Sequence, residues 1–176
     1  MQSMPEICGD NILLREFRQE DIGPDYLSWL NDPRVVRYSN QRFRKHDRAS
    51  AQAYLDSFPG TSNLFVSIRH RASGRAIGTM TAYVNNHHQT ADVGILLGDP
   101  AVQGKGFGYE SWRLLCDWLL AERGIRKLTA GTSRVNVPMV SIMERYGMVR
   151  EAVLKDQEIM EGHPADILLY ARFMNA

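Results

Sequence analysis

The sequence predicts an α+β fold, a mixed but mostly antiparallel sheet of about seven strands with about four helices. The hydrophobic period changes from 3.6 residues early in the chain to 2 residues over 64–97, which indicates helices followed by an antiparallel meander. A long helix then lies between two short strands. Such a crossover makes the two strands parallel neighbours.

The first third of the chain predicts one strand and two helices. The strand opens at Ile12. Asp21 and Asp47 stand where the N-caps of the two helices are expected, because a short carboxylate side chain accepts the free N–H groups of a first helical turn. A basic stretch with interleaved aromatic residues, 34–45, separates the helices.

The rest of the chain predicts the meander, the crossover and a final pair of strands. Alternating apolar residues and short turns predict strands over 64–69, 76–84 and 91–97. A glycine-rich loop opens the long helix, and Gly124 ends it. After it we expect a strand over 127–132, a helix over 137–146 and strands over 148–155 and 165–173.

Composition predicts a single globular domain, 1–176, because 44% hydrophobic and 23% charged residues are ordinary fractions. The net charge of +1 indicates neither a nucleic-acid nor a membrane partner, and no apolar run approaches the ~18 residues of a membrane span. Cys8 and Cys116 lack CxxC or metal-ligand spacing. We therefore expect no disulfide, no metal and a cytoplasmic location.

The glycine-rich loop is the strongest functional signal. Three glycines occur in the five residues 104–108, between a strand and the start of a helix. Glycine lets the backbone approach a ligand closely, and the free N–H groups of a helix N-terminus attract anions. The loop therefore predicts a phosphate or pyrophosphate site, to which Lys105 adds a mobile cation.

Two common phosphate motifs do not fit this loop. A Walker loop needs Lys and then Ser or Thr after its last glycine, and here Phe107 follows Gly106. The dinucleotide pattern GxGxxG needs a glycine three residues after Gly106, whereas Gly108 comes two residues after it. A tight turn without a ligand is the alternative, although one or two glycines suffice for a turn.

These residues resemble the GNAT acetyltransferase superfamily. Its phosphate-binding motif, Q/R-x-x-G-x-G/A, is matched by Gln103, Gly106 and Gly108. A second family element begins at Asn136 and ends in E-R-x-G-M over 144–148. Further similarity, over Leu13-Leu14-Arg15, 29–33 and 166–170, is to the branch that holds ribosomal-protein, spermidine and amino-sugar acetyltransferases.

The resemblance implies acetyl-CoA as cosubstrate and a V-shaped cleft where the strand 91–97 splays from the strand 127–132. Backbone groups of Ile95, Leu96 and Leu97 are then expected to hold the pantetheine arm and polarise the acetyl carbonyl. The pyrophosphate is expected on backbone N–H groups from Gln103 to Tyr109, that is, Gln103, Gly104, Lys105, Gly106, Phe107, Gly108 and Tyr109. Asn136 is expected to contact the pantetheine, to cap its helix, or to do both.

Two positions depart from the family pattern. Met139 stands where the family often has Ser or Ala, and Met143 stands where many members have a tyrosine that protonates the leaving thiolate. A tyrosine acid is therefore not expected at position 143. Tyr146 and Cys116 both fall on apolar helix faces, so we expect them in the core.

The pKa of the acceptor amine determines how strongly the reaction depends on a general base to deprotonate it. At pH 7 about a tenth of an α-amine with a pKa near 8 is neutral, against roughly 0.04% of an alkyl ammonium with a pKa near 10.4. Asp92 is one candidate base because it alternates with Gly94 and Leu96 along the cleft strand. His88 is the other, since the ordinary histidine pKa lies closer to neutral, although it occupies a turn.

The basic stretch is the candidate acceptor wall. Arg34 and Arg37, with Tyr38 and Phe43, are the residues expected to bind an anionic acceptor through phosphate contacts and ring stacking. A solvated basic face is the alternative. The stretch has no acidic residue before Asp47, which argues against a polyamine acceptor.

The function expected from these observations is N-acetyl transfer from acetyl-CoA to a small-molecule primary amine, such as a nucleotide-linked amino sugar. One alternative is an enzyme that acetylates the N-terminal α-amine of a protein such as a ribosomal protein. A second alternative is a CoA-binding regulatory module without catalysis. The sequence leaves the oligomeric state open, and a homodimer is one candidate because dimers are common in such folds.

Overall fold

The computed structural model describes residues 4–174, which form one sheet flanked by four helices. The strands are β1 (Ile7–Cys8), β2 (Ile12–Glu16), β3 (Leu64–His70), β4 (Ala76–Asn85), β5 (Thr90–Leu97), β6 (Lys127–Ser133), β7 (Val149–Met160) and β8 (His163–Phe173). The helices are α1 (Pro24–Asn31), α2 (Arg48–Asp56), α3 (Phe107–Ala121) and α4 (Val137–Arg145). The predicted α+β class is confirmed.

The sheet has the order β1-β2-β3-β4-β5-β6-β8-β7, which makes eight strands in the described range instead of about seven. The additional strand is β1, whose two residues are too few to show a hydrophobic period. The crossover through α3 makes β5 and β6 parallel, as predicted, and every other neighbouring pair is antiparallel.

One face of the sheet packs against α3 and α4. Trp112, Leu115 and Leu119 of α3 are fully buried there, and Met143 and Tyr146 extend the same cluster. Burying a large apolar side chain stabilises the fold by about 1.5–3 kcal/mol. This cluster therefore fixes both helices that border the cleft.

The opposite face is covered over only part of its width. Aromatic residues of α1, α2 and β3 form a second core with Phe17, which follows β2, and Phe58, which follows α2; both stack on Phe65. Beyond this core, over β5 and β6, Asp92 and Gly131 are exposed and Thr129 is half-buried. The uncovered surface leaves room for a ligand beside the diverging strands.

The caps of the first two helices differ. Asp47 accepts a hydrogen bond from the Ser50 amide at 2.7 Å and caps α2, as predicted. The prediction for Asp21 was wrong, because Gly23 is the N-cap of α1 and Asp21 ends a short 3-10 helix. The Asp21 carboxylate instead binds Arg15 and Arg69 in a buried ion-pair cluster. Arg69 is 48 positions away in the sequence.

None of the helices in the described range is long and apolar enough to cross a bilayer.

Candidate active site

The central feature of the site is the divergence of β5 from β6. The two strands pair at only three positions, and Asp92–Thr129 is the last of them. Each strand continues beyond that point while bonded on its outer edge, β5 to β4 and β6 to β8. The inner edges of Val93–Leu97 and 130–133 therefore open into a V-shaped cleft.

Strand alternation determines which backbone groups face the cleft. The Gly98 amide donates to the Ile77 carbonyl, so Leu96 and Gly94 direct their backbone groups into the β4 ladder. Ile95 and Leu97 must then direct theirs toward the cleft. Of the three predicted backbone contacts, this geometry makes two available to a ligand and engages Leu96 with β4.

The glycine loop has the conformation that an anion site requires. Gly104 and Gly106 have φ values of 74° and 80°, a left-handed region that side-chain-bearing residues rarely adopt. Gly106 is also the N-cap of α3, and the side chains of Gln103 and Lys105 are exposed. Both left-handed positions turn the chain sharply into the helix.

The loop presents unsatisfied hydrogen-bond donors. Within the described residues, no acceptor pairs with the backbone N–H groups of Gly104, Gly106, Phe107, Gly108 and Tyr109. Four of these N–H groups converge at the positive end of the α3 dipole. The loop therefore fits a diphosphate by its own chemistry.

Gly108 allows the glycine loop to lie against the cleft. A Cβ at this position would lie 3.0 Å from the Leu97 side chain and 3.2 Å from that of Ile142, closer than ordinary van der Waals contact. The first turn of α3 thus packs between the end of β5 and α4. The N-terminus of α3, with its unpaired N–H groups, and the open cleft therefore form one continuous site.

Glu110 anchors this end of α3. Its carboxylate accepts hydrogen bonds from the backbone amides of Asn11 and Ile12 and from the Asn11 side chain, at 2.8 to 3.2 Å. The helical period assigns Glu110 to the solvated face of α3, and sequence alone did not reveal these partners about 99 residues away.

Asn136 acts as an N-cap. Its side-chain oxygen accepts from the Met139 amide at 3.4 Å, and its amide donates to Thr132 at 3.0 Å. These bonds tie the end of β6 to the start of α4, on the far wall of the cleft. The capping role is confirmed, and contact with the pantetheine stays a prediction.

Asp92 lies at the apex of the cleft. Its carboxylate accepts a hydrogen bond from Thr129 at 2.8 Å across the last β5–β6 pair, and its partner on β4 is the half-exposed Tyr83. Desolvation by the surrounding protein raises the pKa of Asp92, and the bond from Thr129 opposes that rise. A carboxylate with a raised pKa at this position has the properties of a proton acceptor.

His88 lies away from the cleft. It is exposed in the β4–β5 turn, before the first β5–β6 pair, and its backbone groups bond to Asn85 and Arg126. The glycine loop follows the other end of β5. The structure therefore brings Asp92 to the open part of the cleft and does not bring His88 there.

Three side chains of the helical layer are withdrawn from the cleft. Met143 and Cys116 are fully buried, and burial raises the pKa of the Cys116 thiol well above its usual value. Tyr146 is buried as well, and its hydroxyl donates to Asp117 at 2.8 Å. Position 143 offers no acid, and Cys116 is not ionised near neutral pH.

The predicted acceptor wall is paired with carboxylates that sequence reasoning missed. Arg37 binds Glu161 at 2.6 Å, while Arg42 approaches Glu158 at 3.6 Å and the carbonyl of Ile159 at 3.3 Å. The β7–β8 hairpin, whose Ile159 is 117 positions from Arg42, brings these acidic residues to the basic stretch. The expectation of a wall without acidic residues was wrong, because it counted only neighbours along the chain.

The other predicted acceptor residues lie at the surface. Arg34 forms an exposed ion pair with Asp32 at 2.8 Å, and its guanidinium holds the pKa of Asp32 below the usual value. Phe43 is 71% exposed beneath the Arg42 guanidinium, which lies 4.3 Å from its ring centroid. Tyr38 has a similar contact with Arg37, at 5.3 Å.

A pocket of about 640 Å³ lies beside this stretch. Two of its cations, Arg44 and Lys45, have no ion pair or side-chain hydrogen bond with any described residue. Both lie within the basic stretch 34–45, whose sequence does not distinguish them from the paired arginines. The pocket is lined by Leu30, Asn31, Pro33, Val36, Arg42, Arg44, Lys45, His46 and Asp47.

Over residues 4–174, no group of His, Cys, Asp and Glu side chains is arranged to hold a metal ion.

Comparison with known proteins shows the family to which this chain belongs. Residues 11–149 match the family described as the acetyltransferase (GNAT) domain. An uncharacterized N-acetyltransferase of Bacillus subtilis strain 168, YnaD, is 24% identical over 150 residues, which are 85% of either chain.

Two solved structures share the fold along nearly the whole chain. Spermidine N-acetyltransferase from Vibrio cholerae, solved with CoA and spermine, has a TM-score of 0.84 at 18% identity and covers 95% of this chain and 98% of its own. Ribosomal-protein-S5-alanine acetyltransferase from Vibrio fischeri has a TM-score of 0.83 at 15% identity, with 98% of both chains covered. The chain belongs to the GNAT family and is an acetyl-CoA-dependent N-acetyltransferase.

Proposed function

We propose that this enzyme transfers the acetyl group directly to the primary amine of a small molecule that also carries an anionic group, such as a nucleotide-linked amino sugar. The observation that supports this acceptor class is the pocket in which Arg44 and Lys45 have no partner among the described residues. Unpaired cations beside an apolar floor favour a phosphate or carboxylate ligand with an attached ring.

The proposed site for the acetyl donor, acetyl-CoA, comprises the glycine loop and the cleft. Acetyl-CoA supplies a thioester whose carbonyl carbon accepts the amine. We propose that the N–H groups of Gly104 and of 106–109 hold the diphosphate, since those of Gln103 and Lys105 donate to the carbonyls of Pro100 and Val102. The backbone of Ile95 and Leu97 is proposed to bind the pantetheine and polarise the carbonyl. Asn136 would then hold the far wall of the cleft through its cap.

Asp92 is the proposed proton acceptor. It lies where the strands part, its pKa is raised by desolvation, and Thr129 fixes its orientation. An attacking amine must lose one proton in forming the amide, and Asp92 can receive it directly or through a water molecule. A thiolate is a good leaving group, since thiols have pKa values near 8.5, so the lack of a tyrosine at position 143 leaves the reaction feasible.

The second candidate acceptor is the N-terminal α-amine of a protein. The open sheet face over β5 and β6 favours it, because Asp92 and Gly131 are exposed there and a peptide has access. A polyamine is a weaker candidate. Glu158 and Glu161 bring negative charge to the acceptor wall, but both are paired with arginines.

The decisive experiment measures kcat/KM for matched amines: glucosamine, glucosamine 6-phosphate, spermidine and an alanyl peptide. We expect the phosphorylated amine to be preferred. The double variant Arg44→Gln/Lys45→Gln should reduce its kcat/KM at least about tenfold, the size of one charge-assisted hydrogen bond, and leave glucosamine unchanged.

Arg34→Gln is the matched control, since this arginine is 84% exposed and already paired with Asp32. It should leave the preference intact. A preference for spermidine would refute the anionic acceptor, and a preference for the alanyl peptide would establish the protein α-amine instead.

We also propose a cytoplasmic location and a homodimer. Cys8 and Cys116 are both free thiols, as expected in a reducing compartment. The long edge strand β7 leaves Val149 and Ile159 exposed, and such an edge favours pairing with a second chain. Sedimentation of the purified protein tests the dimer.

A further inference from the structure

A cation lies beside the glycine loop on the neighbouring helix. Arg145, in the last turn of α4, places its guanidinium carbon 3.9 Å from the ring centroid of Tyr109. Tyr109 belongs to the first turn of α3, and its backbone N–H is one of the unpaired donors. With a rise of about 1.5 Å per residue, Tyr109 lies within one helical turn of the N-cap Gly106.

The charge of Arg145 is not neutralised. Its exposed side chain forms no ion pair and no hydrogen bond with any residue in the range 4–174. The acidic side chains nearby are engaged elsewhere. Glu144 accepts from the Tyr170 hydroxyl at 2.8 Å, and Glu110 accepts from Asn11 and Ile12.

The ring contact orients the guanidinium and leaves its donors available. Stacking on an aromatic face uses the π-surface of arginine, whereas its five N–H groups point outward in the plane. This arrangement is pre-organised for bidentate contact with a phosphate. An exposed arginine without such a contact would sample many rotamers and lose entropy on binding.

Arg145 lies on a different helix from the proposed diphosphate site. The N–H groups at the α3 N-terminus converge on the diphosphate, while Arg145 approaches from α4. The two helices are close there, because a Cβ on Gly108 would lie 3.2 Å from the Ile142 side chain. A ligand with a second phosphate next to its diphosphate can therefore engage both.

We propose that Arg145, held over Tyr109, binds the ribose 3′-phosphate of acetyl-CoA. This phosphomonoester carries nearly two negative charges at neutral pH and is the second anionic group of the molecule. The assignment rests on the glycine loop as the diphosphate site. It makes Arg145 and Tyr109 the residues by which this enzyme distinguishes CoA from 3′-dephospho-CoA.

The test is a calorimetric titration of the whole protein with CoA and with 3′-dephospho-CoA. Wild type should bind CoA at least about tenfold more tightly. Arg145→Gln should reduce that ratio to about two, while the affinity for 3′-dephospho-CoA stays within about twofold of wild type. Arg113→Gln, which removes an exposed arginine of α3 paired with Asp117, should keep the full ratio.

Two substitutions at Tyr109 test the stacking contact. Tyr109→Phe retains the ring and should retain the ratio, whereas Tyr109→Leu should lower it about two- to fivefold, the worth of an exposed cation–π contact. Equal weakening of both ligands by Arg145→Gln would overturn the proposal in favour of a diphosphate contact. Equal affinity of wild type for both ligands would also overturn it.

No acceptor amine enters this titration, so its outcome is independent of the proposed acceptor. If neither ligand bound wild type, the glycine loop itself would be refuted as the diphosphate site, and this assignment with it.

Discussion

At the scale of single residues, Asp92 is the proposed proton acceptor of the cleft. The last β5–β6 pair places its carboxylate against Thr129, at the point where the two strands begin to diverge. Desolvation by the surrounding protein raises the pKa of Asp92, so the ionised carboxylate destabilises the folded state. The Asp92 carboxylate therefore does not stabilise the fold, and its raised pKa suits proton transfer.

Asp92→Asn should therefore separate activity from stability. The rate at neutral pH should fall at least about a hundredfold, the usual worth of a general base, and the loss should shrink as pH approaches the pKa of the amine. The unfolding midpoint should stay unchanged or rise, because a carboxyl whose pKa is raised on folding opposes folding above that pKa. A pH–rate profile and urea unfolding at pH 7 measure the two effects.

Asp25→Asn, at an exposed carboxylate of α1, serves as the control and should change neither quantity. A profile for Asp92→Asn that keeps the wild-type shape would remove Asp92 from the mechanism.

At the level of secondary-structure elements, the glycine loop and α3 act as a unit. The loop turns through two left-handed glycines into a helix whose first N–H groups are unpaired among the described residues. Glu110 holds that helix to the β1–β2 turn, and Gly108 allows it to pack against β5. The proposed anion site thus depends on a loop, a helix terminus and the residues that support them.

Gly106→Val should weaken acetyl-CoA binding by more than the backbone strain of valine at a positive φ can explain. Gly60 provides a matched control, since it has the same φ of 80° and an added Cβ meets no atom within 4 Å at either position. Both substitutions should destabilise the protein by about 1–2 kcal/mol. Only Gly106→Val should raise the dissociation constant for acetyl-CoA, by at least about tenfold, because its side chain crowds the phosphate site.

Calorimetric titration and thermal unfolding of both variants make this comparison. Equal affinities in Gly106→Val and Gly60→Val would show that the loop does not contact the cosubstrate.

For the whole molecule, one buried carboxylate joins three segments around the far wall of the cleft. Asp166 of β8 binds Lys155 of β7 at 2.9 Å, Arg134 of the β6–α4 connection at 2.9 Å, and the Asp156 amide at 3.1 Å. Chiefly through Lys155, and then the Asp156 amide, these contacts lower the pKa of Asp166 to about 2. The long hairpin is thereby fixed to the wall that Asn136 caps.

This cluster should make global stability depend on pH. A carboxyl whose pKa falls from 3.8 to about 2 on folding contributes stability above pH 3.8, and that contribution is lost as pH falls through about 2. Asp166→Asn should therefore unfold at lower urea than wild type at pH 6, and the difference should narrow between pH 4 and pH 2. A difference that persists unchanged at pH 2 would contradict this account.

Much of the fold was predictable because it depends on short-range patterns. The change of hydrophobic period, the Asp47 cap and the glycines before α3 each involve residues within a few positions of one another. The same reasoning failed at Asp21, where Arg15 and the distant Arg69 engage the carboxylate that the local pattern assigns to a cap. It also missed β1, which exists only through its pairing with β2.

In the candidate site, too, some features follow from neighbouring residues and others from contacts between distant ones. By itself the sequence determined the glycine loop, the helix that follows it and the cap at Asn136, because backbone conformation and N–H exposure follow from adjacent residues. Only the tertiary structure decided that Asp92 meets Thr129 at the apex of the cleft, and that Glu158 and Glu161 neutralise Arg42 and Arg37. These contacts join residues 37 to about 120 positions apart, and long-range pairing in a sheet is set by the packing of the whole molecule.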